Sequence, residues 1–299
     1  MKRAALFCIA LALATPALAA SMQEASQHFA DHDYAGARAI AEPLAQTGDV
    51  QAMAMLGLIY RKGLGAAVSL DRATQWLAKA SAAGDVPSSL TLGLIYLDGS
   101  LGAIDYSKGE SLVRKAADAG NASAQVAMGR LNSGAFGNPA NWPEAAHWYK
   151  LAADQGNADG EYQLGVLTLD GRGVAKNAIA ATQLIGKAAQ QGQLDAALDY
   201  GVLVFRGDGV QADEKIGAQW LLVAAKHGNV VAMNRVSRLY AYGKGVAQDA
   251  IEAAKWNLLA AKGGRPDAEL DTILAQLSAE QKAEAQTRAD AFKPEGRTE

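Results

Sequence analysis

The chain has 299 residues, half of them apolar, with 28 Lys and Arg against 31 Asp and Glu and one cysteine. A formal charge of −3 argues against nucleic acid or an anionic membrane surface as the main partner. One cysteine leaves no disulfide framework and no thiolate metal site.

Residues 1–20 read as a signal peptide. Lys2 and Arg3 precede the apolar run "AALFCIALALA" and the small-residue stretch "TPALAA", and Ala17-Leu18-Ala19 fits the cleavage rule. The run is short for a membrane span and Pro16 interrupts its end. The mature chain is therefore expected to begin at Ala20 or Ser21, in the periplasm or outside the cell, with no integral membrane segment. Cys8 lies inside the apolar run, so the mature chain carries no thiol nucleophile. Loss of Lys2 and Arg3 takes the formal charge of −3 to −5. Residues 21–48 then read as an irregular helix pair that caps the fold.

From residue 49 to 264 the chain repeats with a period of 36 residues, over six units. Gly48, Gly84, Gly120, Gly156, Gly192, Gly228 and Gly264 mark the period. A second ladder runs Gly57, Gly93, Gly129, Gly165, Gly201 and Ser237. An alanine ladder passes through Ala80, Ala116, Ala152, Ala188, Ala224 and Ala260, and a bulky one through Trp76, Leu112, Trp148, Leu184, Trp220 and Trp256.

Each unit reads as two helices. The first buries pairs such as Leu56/Ile59 and Leu164/Leu167, spaced for one helical face. A glycine loop follows, as in "RKGLG" or "LDGRG". The column Ser69, Asp105, Asn141, Asn177, Asp213, Asp249 then supplies N-caps for the second helix. The 36-spaced glycine closes that helix in a left-handed conformation. The Gly165 ladder is expected to let two helix backbones approach closely, opposite the alanine ladder. One pair cannot bury its apolar stripe on both sides, so the units must stack. The third unit departs most: Asn132 replaces the usual Tyr, and Pro139, Trp142 and Pro143 are added.

Residues 265–292 read as C-terminal capping helices. "PDAELDTILAQL" gives a last first-type helix, and Ser278 with Gln281 forms a capping box for a polar final helix. Residues 293–299 read as a disordered tail.

The segments "AMLGLIYRKG", "AKNAIAATQLIGKAAQQG" and "QDAIEAAKWNLLAAKGG" resemble the Sel-one-like repeat, a relative of the tetratricopeptide repeat. The resemblance covers residues 49–264. It implies an all-α fold, a right-handed α-solenoid of antiparallel helix pairs with first helices lining the concave face. It also implies an adaptor that holds other proteins, with bacterial secreted members acting in the periplasm or against host proteins. One cysteine-rich branch of the family is linked to penicillin binding and β-lactam hydrolysis; its cysteines are missing here, so that activity is not carried over.

Catalytic signatures such as S-x-x-K, G-x-S-x-G and H-E-x-x-H are absent from the sequence. His147 and His227 fall on second helices with no positioned nucleophile and read as surface or packing residues. His28 and His32, four apart, would suit zinc with Asp31 or Asp33, but the spacing alone is weak. Asp31, Asp33, Gly36 and Glu42 imitate a calcium loop, yet Ala35 and Arg38 stand at the wrong positions. No metal or other cofactor is expected, and no catalytic activity.

What remains is surface. Three first-helix columns vary between units: Met55, Thr91, Ala127, Gln163, Asp199, Arg235; Leu58, Leu94, Arg130, Val166, Val202, Arg238; and Lys62, Asp98, Gly134, Asp170, Arg206, Tyr242. Arg130, Asp199, Arg206, Arg235, Arg238 and Tyr242 are thus the expected contacts for a protein or peptide partner, since Arg and Tyr are enriched in binding hot spots. The alternative is a solvated inner face. Trp142 is the second candidate, against simple coverage of a looser loop. The reading is a non-catalytic interaction scaffold of the cell envelope. The rivals are an envelope enzyme acting on peptidoglycan or β-lactams and a secreted factor that engages host proteins.

Overall fold

The computed structural model describes residues 21–296. The expected signal peptide with Cys8 and its cleavage site lies outside the described residues, as do residues 297–299. All described secondary structure is helical. An N-terminal pair, α1 (Met22–Ala30) and α2 (Tyr34–Gln46), precedes α3 (Val50–Lys62), α4 (Leu70–Ala82), α5 (Val86–Leu97) and α6 (Tyr106–Asp118). Then come α7 (Ala122–Asn132), α8 (Trp142–Asp154), α9 (Ala158–Asp170), α10 (Ala178–Gln190), α11 (Leu194–Arg206), α12 (Glu214–Lys226), α13 (Val230–Tyr242) and α14 (Ala250–Lys262). Two shorter helices follow, α15 (Ala268–Leu274) and α16 (Ala279–Asp290). This is an all-α repeat solenoid. Its contacts divide into two compact units, with the division after Leu112 inside α6.

Local chemistry sets the helix ends. Ser69, Asn177 and Asp213 each accept a hydrogen bond from a backbone N–H three residues on, which satisfies a first-turn donor that no helical carbonyl can reach. First helices are capped the same way by Asp49, Asp85, Asn121, Asn157, Gln193 and Asn229. The 36-spaced glycines all have positive φ, from 74° at Gly156 to 102° at Gly48. A side chain there would be strained even though the space beside it is open at all but Gly228, where Pro294 lies 3.4 Å away.

Packing corrects one expectation about the second glycine ladder. A Cβ on Gly165 would lie 2.7 Å from Ile185 Cγ1, and one on Gly57 would lie 2.6 Å from Leu77 Cγ. The facing column is therefore Leu77, Tyr149, Ile185 and Leu221, one residue beyond the bulky ladder, and not the alanine ladder. The alanines are fully buried and serve the next contact along. A Cβ on Gly160 of α9 would lie 2.6 Å from the Ala152 methyl on α8. Within the first unit the core gathers Ala41, Leu56, Tyr60 and Ala73. In the second unit it runs continuously from Ile185 to Ala260, through Leu221, Val236 and Trp256.

The C-terminal end also differs from expectation. Helix α15 stops at Leu274, short of the expected Leu277, and the Ser278 capping box starts α16. Residues 293–296 do not trail away. The Glu295 N–H donates to the Lys226 carbonyl at 2.9 Å, and the Phe292 ring meets Trp256 edge-on at 5.5 Å.

Candidate partner-binding groove

Residues three and four apart on a helix share a face, so each first helix shows one strip of the variable columns. On α9 this strip carries Val166 and Asp170; on α11 it carries Asp199, Val202 and Arg206. Together they line a cleft of about 650 Å³, whose rim includes Lys176 and Asp208. A second cleft of about 200 Å³ lies between Val202, Phe205 and Arg206 of α11 and Arg235 and Arg238 of α13. Val202 and Arg206 belong to both clefts. In the first unit the same columns place Met55, Leu58 and Thr91 around an apolar cleft of about 330 Å³.

Charge in the groove is unevenly satisfied. Tyr162 of α9 donates its hydroxyl to Asp199 Oδ2 at 3.0 Å, bridging adjacent repeats. Burial raises the Asp199 pKa, against the Tyr162 hydrogen bond; nearby Asp195 adds to the rise and Arg235 opposes it. The Tyr162 hydroxyl is pushed well above its ordinary range by burial and by the Asp199 carboxylate. Arg235 has no ion pair among the described residues, and its Nε is buried without a hydrogen-bond partner. Burial, then the nearby Arg206 guanidinium, holds Arg235 below the usual guanidinium range; Asp199 opposes this and Arg265 adds to it.

Two of the expected contact residues have internal partners instead. Arg238 holds Asp267 through Nε and Nη2, and its Nη1 donates to Glu269 Oε2 at 2.9 Å. Tyr242 donates to Glu269 Oε1 at 2.7 Å. Both side chains thus fasten the start of α15. Arg130 stands exposed on α7 and lines neither cleft. The structure therefore gathers Asp199, Arg206 and Arg235 and leaves Arg130 apart. Sequence reasoning missed Tyr162, Asp267, Glu269 and Arg265. Asp267 was open to recognition as an N-cap, but its ion pair spans 29 residues and left no local mark.

The other candidates resolve into packing. Trp142 is half-buried, with the Arg172 guanidinium 5.2 Å over its ring, and it covers the apolar group around Ala145 and Leu167. His28 Nδ1 lies 2.7 Å from Asp33 Oδ2, and Asp33 caps α2. Glu42 accepts from Tyr60 at 2.8 Å, so the imitated calcium loop is a helix start. Among the described residues no three His, Asp or Glu side chains converge as a metal site. No described helix is long and apolar enough to cross a membrane.

Known structures share this architecture. A Sel1 repeat protein from Oxalobacter formigenes is 29% identical with a TM-score of 0.75, over 81% of this chain and all of that one. The protective antigen c5321 of uropathogenic Escherichia coli, which displays an SLR fold, is 25% identical with a TM-score of 0.57, over 91% of this chain and 68% of that one. No curated protein matches. The Sel1 repeat profile matches residues 50–85, 91–121, 122–157, 158–193, 194–229 and 230–264. Sel1 repeat proteins generally mediate protein–protein interaction and are typically non-catalytic scaffolds. With the profile matched over most of its length, the chain belongs to the Sel1 repeat family.

Proposed function

We propose that the chain is a non-catalytic scaffold of the bacterial cell envelope that holds a protein or peptide along the first-helix faces of α9, α11 and α13. One observation carries this reading: the two clefts adjoin through Val202 and Arg206 and are lined by positions that change from repeat to repeat. Apolar floor beside a few placed charges is the usual make-up of a recognition groove. The signal-like residues 1–20 support an envelope location.

Mature protein carrying an affinity tag should capture a discrete partner from periplasmic extract. Val166→Arg with Val202→Arg, which fills the groove, should abolish that capture while the far-UV CD spectrum stays unchanged. Undiminished capture by the filled variant would move the site elsewhere. Hydrolysis of nitrocefin or of muropeptides by the purified protein would replace the scaffold reading with an envelope enzyme.

A host-facing role is the second reading, supported by the likeness to the protective antigen c5321. Recovery of the protein from culture medium instead of periplasmic extract would favour it.

A further inference from the structure

We infer that the Arg206–Arg235 cleft is a carboxylate subsite, made for an acidic side chain of the peptide or protein that occupies the groove. The inference rests on the groove reading and adds the chemistry of its occupant.

Three observations carry it. The first is an unmet donor: Arg235 Nε is buried with no acceptor. A buried donor left unpaired is unfavourable; Nε itself is closed to a ligand, so an incoming carboxylate would meet the Nη groups of Arg235, which lines the cleft. The second is local charge. The Arg206 and Arg265 guanidiniums each repel that of Arg235, against the attraction of Asp199, which is engaged by Tyr162 and makes no ion pair with Arg235 among the described residues. The other acids of the larger cleft, Asp170 and Asp208, line it together with Lys176 and do not line the smaller one. The smaller cleft is thus lined by the Arg206, Arg235 and Arg238 guanidiniums and by no carboxylate.

The third observation shows what such an arginine accepts in this groove. Arg238 lies three residues beyond Arg235 on α13 and lines the same cleft. It is filled by the chain's own acids, Asp267 through a two-bond fork and Glu269 through a third bond. The start of α15 thus acts as an internal acidic ligand one position along. Arg235 carries the same head group in the same cleft with no acid of the chain bound to it among the described residues. A carboxylate fits two adjacent guanidinium forks better than a single-point anion does.

The test uses the mature protein and a capped pentapeptide bearing two glutamates, with acetyl and amide ends. Its glutamine isostere, a neutral peptide with a free C-terminal carboxylate, and inorganic phosphate are the comparison probes. Titration followed by NMR should shift the Arg235 guanidinium resonances with the glutamate peptide and leave them in place with the glutamine isostere. Arg206→Gln and Arg235→Lys should each weaken binding about tenfold or more, the scale of one charge-assisted fork. Binding should also weaken as salt rises from about 50 to 300 mM.

A response only to the peptide with a free C-terminus would keep the carboxylate chemistry but overturn the side-chain source. A response to phosphate alone, equal binding of the glutamine isostere, or unchanged affinity in both variants would overturn the subsite. The groove reading is judged separately. If Val166→Arg with Val202→Arg abolishes partner capture while Arg206→Gln and Arg235→Lys retain it, the groove stands and the carboxylate subsite falls. Exposed Lys244 and Lys262, which line neither cleft, provide the charge control as a Lys→Gln pair.

Discussion

Arg238 grips Asp267 with two parallel hydrogen bonds, Nε to Oδ2 and Nη2 to Oδ1, both 3.0 Å long. Asp267 is also the N-cap of α15, accepting from the Leu270 N–H, and it takes a third partner in Asn234 at 2.9 Å. One carboxylate therefore starts the helix and fastens it to α13. The Asp267 side chain is 9% exposed and that of Arg238 is 39% exposed, so solvent screens the arginine more than the acid.

Arg238→Ala should loosen α15. A hydrogen bond to a charged group contributes roughly 1.5–3 kcal/mol, and the exposure of Arg238 brings the expectation down to about 1 kcal/mol. Arg238→Lys should recover little, because a point charge cannot form the fork. Asp267→Asn keeps the cap and removes the charge. A double-mutant cycle of Arg238→Ala with Asp267→Asn in urea should be non-additive. Simple additivity would mean that the fork contributes nothing to stability.

The same contact sets a pH dependence. Burial works against the Asp267 carboxylate, but bonds from Asn234, the Leu270 N–H and Arg238 hold it below its ordinary value of 3.8. Bonds from Tyr242 and Arg238 hold Glu269 below 4.5. The unfolded segment thus binds more protons than the folded one in this window. The stabilisation is fully present above the ordinary carboxylate range and is lost as pH falls through the lowered folded values. Amide protection in residues 267–277, corrected for the intrinsic pH dependence of exchange, should therefore fall between about pH 5 and pH 3, before that of α11 or α13. Asp199 carries the opposite sign, since its value is raised. Its stabilisation is present below the unfolded value and is lost as pH rises through the folded one. Asp199→Asn, which still accepts from Tyr162, should remove that loss.

Gly165→Leu should be destabilising by roughly 1–3 kcal/mol or more through overpacking. A Cβ there already stands 2.7 Å from Ile185 Cγ1 and 3.2 Å from the Ala181 carbonyl. Gly171→Ala has only the Lys176 side chain nearby, at 3.1 Å, but its φ of 76° adds a strain of about 1–2 kcal/mol. The loop substitution should be the milder of the two in thermal melts. A harmless Gly165→Leu would refute the close approach of α9 and α10.

These contrasts show what the sequence makes legible. Caps such as Ser69 and Asp213, the closing glycines and the Ser278 box act within a few residues, so their signals are local and repeat at 36. The variable columns were visible because helical spacing fixes which residues share a face. The partner of Gly165 was misread because Trp148 and Ala152 are conspicuous landmarks, whereas the facing position holds Leu, Tyr or Ile without one fixed type. Arg238 shows the remaining gap. Its column marked it as groove-facing, but its acids enter from α15, outside the repeat, so periodicity gave no warning. Its internal pairing makes Arg206 and Arg235 the arginines of the groove worth testing for a partner.

The last expectation concerns the one exception in the glycine ladder. Ser237 is fully buried, and its Oγ donates to the Ala253 carbonyl at 2.7 Å. Twenty residues on, where the other repeats place Leu77, Tyr149, Ile185 or Leu221, stands Asn257. Asn257 turns its Nδ2 to Asp271 Oδ1 at 2.6 Å, and its own Oδ1 is buried without a partner. The two exceptions fall on positions that face each other in the other repeats: a polar residue in the small column and a polar residue in the large one. Ser237→Gly should be destabilising by about 1–2 kcal/mol, from one lost hydrogen bond and the helix propensity of glycine. Asn257→Leu should be destabilising by about 1–3 kcal/mol through crowding against Ser237, with loss of the Asp271 bond. Together they recreate the pair that α3 and α4 use, and Leu removes the unsatisfied Oδ1. The double variant should therefore be more stable than the sum of the singles by about 0.5–3 kcal/mol. Urea melts of all four proteins measure that difference, and a sum that closes within about 0.5 kcal/mol would mean that Ser237 and Asn257 are independent substitutions.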